Sequence, residues 1–119
     1  MANVKLKNLI ISALEEIKGQ DISCLDVVNK TDLADYMIIV TGSSVRHVKA
    51  LTNSVISQTA AIDIKPLGIE GYAEGEWVLI DLTDVIVHVM QSETRDFYNL
   101  ERLWGMADLP VKEGLGRDQ

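Results

Sequence analysis

A chain of 119 residues, 47% apolar and 24% charged, has room for one hydrophobic core and one globular domain. Its formal net charge of −7, with scattered lysines and arginines, argues against direct binding of RNA or DNA, which needs a basic face to displace counterions. Cys24 is the only cysteine, so an internal disulfide and a cysteine metal cluster are both ruled out, and with no signal core or membrane-length apolar run the expected location is cytoplasmic.

In chain order, Leu6, Leu9, Ile10, Ala13, Leu14 and Ile17 recur at helical spacing, and Gly19 is placed to stop that helix. A strand is expected from Ile22 to Val28, followed by a polar break at Asn29 to Asp32. Met37 to Val40 is short and wholly apolar, the pattern of a central strand buried on both faces. Thr41-Gly42-Ser43-Ser44 turns the chain into a helix with Ser44 as N-cap and Val45, Val48, Leu51, Val55 and Ile56 on one side. That strand–turn–helix is the first half of a βαβ unit. Pro66 and Gly68 bracket a short extended piece ending at Glu70-Gly71, and Tyr72 to Gly75 is a loop. Near the end, LERLW from Leu100 reads as a helix closed by Gly105, which gives a domain over residues 1–105 and a loose tail over 106–119.

The segment EWVLIDLTDVIVHVM reads as two strands joined at Thr83-Asp84, although Thr-Asp is not a favoured hairpin pair. A two-residue turn sets Leu82 opposite Val85, Ile80 opposite Val87 and Val78 opposite Val89, an aliphatic face that belongs in the core. The other face pairs Asp81 with Ile86, Leu79 with His88 and Trp77 with Met90. Such a mixture is unusual for open solvent, so either a helix covers it or another protein does. An indole N–H and an imidazole both require polar partners.

Two constellations invite a chemical reading. Backbone N–H groups at Thr41 to Ser44 suit a phosphate, with Arg46 and His47 nearby, yet the turn lacks the lysine and glycine spacing of the common nucleotide loops and equally reads as a capped turn. Glu70, Asp81 and Asp84 are acids of the kind that hold catalytic metal ions, but no Asp-x-Asp or Asp-x-Glu pair follows the turn. His47, His88 and Cys24 have no zinc-site spacing, so no metal and no cofactor is expected.

Taken together, DISCLDVVNKTDLADYMIIVTGSSVRHV, PLGIEG, EWVLIDLTDVIVHVM and TRDFYNLERLW resemble, in that order, the RsfS/Iojap family of ribosomal silencing factors, from the first helix to Trp104. The resemblance implies an α/β fold: a mixed β-sheet flanked by helices, of nucleotidyltransferase-like topology without the active site. It implies a non-enzymatic factor that binds the large ribosomal subunit through ribosomal protein L fourteen and blocks subunit association, repressing translation. It also implies a homodimer when free. Matched motif by motif, the family's docking residues fall on Trp77, His88 and Tyr98. Leu79 and Met90 extend the apolar patch, Asp81 adds a polar contact and Glu101 a charged rim contact. The alternative is a nucleotide-binding or nucleotidyltransferase-like enzyme using Thr41 to Ser44.

Overall fold

The apolar run Met37–Val40 lies at the middle of a five-stranded sheet in the computed structural model, which describes residues 3–99. The elements in chain order are α1 (Val4–Glu16), β1 (Gln20–Asp26), β2 (Tyr36–Gly42), α2 (Val45–Ala60), β3 (Gly68–Glu70), β4 (Trp77–Asp81), β5 (Val85–Gln91) and α3 (Ser92–Tyr98). The strands lie in the order β1-β2-β5-β4-β3. β2 runs parallel to β5, and the other three pairings are antiparallel, so the sheet is mixed. Every residue of β2 is buried, as its apolar run Met37–Val40 suggests for a central strand. The βαβ unit begun by β2 and α2 is completed by β5, not by the piece after Pro66, which forms only the three-residue edge strand β3.

The helices start and stop for local reasons. Asn3 caps α1, its side-chain oxygen accepting from the Leu6 N–H at 3.1 Å. At the other end Lys18 takes the left-handed backbone conformation (φ 61°), while Gly19 serves a different need. A Cβ there would stand 2.7 Å from Val40 Cγ2, so only glycine lets the chain pass this close to β2. Ser44 caps α2 by accepting from the His47 N–H at 3.1 Å. β1 begins at Gln20 and ends at Asp26, two residues earlier at each end than the sequence pattern suggests. The Asp26 carboxylate accepts from the Val28 N–H, a local turn that draws the chain out of the ladder.

Both long helices pack on the same side of the sheet. Leu6, Ile10 and Leu14 of α1 and Val48, Leu51 and Val55 of α2 bury against Ile38, Val40, Val78, Ile80, Val85, Val87 and Val89. The opposite face carries a smaller buried cluster of Val27, Met37, Ile39 and Met90, with Leu25 and Trp77 packed on it. Neither α1 nor α2 covers this second face; α3 reaches it through Arg95 and Tyr98.

The hairpin register is the one its alternation dictates: Trp77 opposite Met90, Val78 opposite Val89, Leu79 opposite His88, Ile80 opposite Val87 and Asp81 opposite Ile86. The unfavoured Thr-Asp turn is held by its neighbours. Thr83 has φ 72°, and the Asp84 N–H donates to the Leu82 carbonyl at 2.8 Å, the i to i+2 closure of a γ-turn. The Asp81 carboxylate accepts from the Thr83 N–H at 2.9 Å, and Asp84 accepts from the Asn3 side-chain amide at 3.0 Å.

Candidate partner-docking face

The second sheet face acquires its character from where three aromatic rings are held. Gly71, with φ 83°, turns the chain so that β4 begins at Trp77, and a Cβ at Gly71 would run into the Trp77 carbonyl. Trp77 and His88 then project from neighbouring strands on the same face, one register step apart. The Trp77 Nε1–H donates to His88 Nδ1 at 2.9 Å. That bond requires an unprotonated Nδ1 and so places the imidazole proton on Nε2. Burial pushes the His88 pKa down to about 4, because the charged ring has lost its water. The imidazole is therefore neutral at physiological pH, only 5% exposed, and serves as the acceptor that orients the indole.

From α3, Tyr98 stacks on Trp77 with ring centroids 4.6 Å apart, tilted by 45°. Phe97 meets Tyr98 edge to face at 4.9 Å. Such pairs add to simple area burial. The exposures run in a gradient: His88 is buried, Trp77 half-buried, Tyr98 52% exposed and Phe97 81% exposed. Phe97 thus stands open to solvent against a second ring that itself rests on a third, an exposed apolar projection on this face.

The sequence-derived site residues divide by depth. Trp77, His88 and Tyr98 come together as one cluster. Leu79 and Asp81 share the face on β4 and are half-buried. Asp81 already spends one carboxylate oxygen on the hairpin turn. Met90 is fully buried, so it supports the face from beneath and offers no surface of its own in this form. Glu101 lies outside the described residues, as do the helix expected from Leu100 and the tail. Phe97 is the member of the cluster that the sequence does not single out, because no periodicity marks it.

The Thr41–Ser44 turn is closed. The Ser43 N–H donates to His47 Nδ1 at 2.8 Å, and His47 Nε2–H donates to the Ile17 carbonyl at 2.7 Å. The His47 ring, set near the turn in the sequence reading, occupies one of the turn's amides and ties the start of α2 to the end of α1. Gly42 is needed for packing, since a Cβ there would meet Val48 Cγ2 at 2.7 Å. Of the three acids, Asp81 and Asp84 serve the hairpin turn and its tie to α1, while Glu70 is exposed on the edge strand. Among the described residues no three of His, Cys, Asp and Glu converge on a point.

A protein-family model described as "Ribosomal silencing factor during starvation" matches residues 2–118. The chain belongs to this family. A ribosomal silencing factor RsfS from Chromobacterium violaceum is 48% identical over 101 residues, 85% of this chain and 83% of the relative. A crystal structure of a protein from the same organism superposes with a TM-score of 0.85 at 42% identity, covering 100% of this chain and 95% of that one. A more distant mouse relative, mitochondrial assembly of ribosomal large subunit protein 1, is 28% identical over 100 residues, 82% of this chain and 44% of the relative. The silencing-factor match runs on past Trp104, where the motif resemblance stops. Membership makes this an α/β protein of a ribosome-associated, regulatory family, and no helix among the described residues is long and apolar enough to cross a membrane.

Proposed function

We propose that this chain docks on the large ribosomal subunit through ribosomal protein L fourteen, and that the bound factor blocks subunit association and represses translation. The observation that carries the reading is the braced aromatic projection of Trp77, Tyr98 and Phe97 on a sheet face that the long helices leave uncovered. Trp and Tyr are enriched among the residues that dominate binding energy at interfaces. Leu79 and Asp81 flank the anchor, His88 orients it, Met90 underlies it, and Glu101 adds a rim charge. The net charge of −7 complements a basic ribosomal protein. The mouse relative's name, which refers to the large subunit, agrees with the side of the ribosome chosen.

The free protein is a homodimer in this reading, it works in the cytoplasm, and it acts by occlusion without turnover or cofactor. Against the enzyme alternative stands the Ser43 N–H, which is already engaged by His47 Nδ1. Sedimentation of the purified protein with isolated subunits tests the reading. Co-sedimentation with large subunits and not small ones, abolished or weakened by Tyr98→Ala, is the expected result. Equal binding to both subunits that survives moderate salt overturns it.

A further inference from the structure

α3 should not be stable by its own means. It has seven residues, far below the roughly 12–15 at which an isolated helix becomes even marginal in water. Its N-cap, Gln91, makes no side-chain capping bond. Of its seven side chains just one is buried, and that one is not apolar: Arg95, 9% exposed. Burying a guanidinium is costly unless its donors are engaged, so an arginine is the least expected anchor for a short helix.

The guanidinium is engaged across two strands. Nη1 donates to Thr41 Oγ1 on β2 at 2.8 Å, and Nη2 donates to Ser23 Oγ on β1 at 3.1 Å. The irregularity in β1 between Gln20 and Ser23, with Asp21 at φ 49°, brings Ser23 into register with Ile39 and so onto the same face as Thr41. The Arg95 carbonyl accepts from the Asn99 N–H at 2.8 Å, closing the helical turn that carries Tyr98. Three residues after Arg95, Tyr98 lies on Trp77. One helical turn thus has a polar root in the sheet and an aromatic tip on the docking anchor.

We propose that Arg95 is a positioning residue for partner recognition: its grip on Thr41 and Ser23 holds α3 where Tyr98 braces Trp77 and presents Phe97. This rests on the docking role given to those rings. A lysine is a poorer substitute, because its donors diverge from a single nitrogen whereas the planar fork places a separate nitrogen at each hydroxyl. Arg95 acts through the rings and has no need to touch the partner.

The test pairs a structural readout on the free protein with binding to isolated large subunits. In Arg95→Met, nuclear Overhauser effects between the Tyr98 and Trp77 rings should vanish, and the Trp77 indole N–H resonance should move. A Trp104→Phe background assigns that resonance. Large-subunit affinity should fall about tenfold, with Arg95→Lys between wild type and Arg95→Met. In a Tyr98→Ala background Arg95→Met should cost less than about twofold more, since two residues acting as one unit are not additive. Thr41→Val and Ser23→Ala each remove one acceptor and leave the arginine in place. They should weaken the same two signals to a smaller degree, and they serve as the test if Arg95→Met does not fold. Ring stacking that persists in Arg95→Met and Thr41→Val overturns the positioning role. Additive effects with Tyr98→Ala overturn it too, by showing that Arg95 acts separately from the ring. If the stacking disappears while Tyr98→Ala and Arg95→Met both bind large subunits normally, the recognition role falls together with the docking reading beneath it, and α3 is a purely internal feature.

Discussion

The Trp77 indole and the His88 imidazole are joined by a bond that exists only while Nδ1 is unprotonated, which gives one residue pair a measurable dependence on pH. His88 has a folded-state pKa lowered from 6.5 to about 4 by loss of solvent. Between those values the unfolded chain binds a proton at this position and the folded chain does not. Stability from this residue is therefore complete above pH 6.5, falls as the pH drops through the window, and falls no further below about pH 4. The full loss is about 3 kcal/mol. Measured urea midpoints at pH 7 and pH 4.5 should drop more for the wild type than for His88→Gln, which keeps an oxygen to accept from the indole but cannot titrate. Other groups are common to both proteins and cancel in the difference. An identical drop in the two proteins would show that His88 is not the cause.

The two faces of the β4–β5 hairpin make opposite demands on substitution, which is a property of the element and not of any one residue. Val87 is fully buried beneath the long helices, so Val87→Ala should destabilise the fold by about 2 kcal/mol with little direct effect on large-subunit affinity. Tyr98 is half exposed, so Tyr98→Ala should cost less than about 1 kcal/mol of stability yet about 2 kcal/mol or more of binding. Trp77 stands between them: it is half-buried and donates to His88, so Trp77→Ala should lower both quantities. Unfolding midpoint and affinity measured for all three variants decide the matter, and a Tyr98→Ala protein that binds normally removes the docking face. The hairpin is legible in the sequence because its alternation has one register that puts Val78, Ile80, Val87 and Val89 on a single face. Met37–Val40 is legible because a short, unbroken apolar run bounded by polar turns fits a strand buried on both faces. α3 is not: SETRDFY lacks apolar periodicity, its anchor is an arginine, and arginine in a short polar segment ordinarily signals solvent. For the same reason Phe97 has no signal beyond its place beside Tyr98. The role of His47 is equally hidden, because sequence does not reveal that a ring four residues on folds back onto the Ser43 amide.

At the scale of the whole molecule, domain extent and charge are the remaining variables. The sequence pattern puts the end of the domain near Gly105; on that expectation a chain truncated there should keep its unfolding midpoint within a few degrees and retain large-subunit binding. A fall of many degrees would show that residues 106–119 belong to the packed structure. Charge acts at longer range than any contact described above. On the proposed docking reading, a molecule of net charge −7 approaching a basic protein gains in encounter rate, while the complex would be held by desolvated aromatic contacts that salt screens little. Raising ionic strength from roughly 0.05 M to roughly 0.5 M at constant magnesium shortens the screening length from about 14 Å to about 4 Å. The association rate with large subunits should then fall about tenfold, and the dissociation rate should change by less than about threefold. The Tyr98→Ala variant should show the reverse division: the association rate follows the same salt curve as the wild type, because the charge is unaltered, while dissociation is faster at every salt concentration. A salt effect confined to dissociation would instead place ionic contacts inside the interface and take the aromatic projection out of its centre.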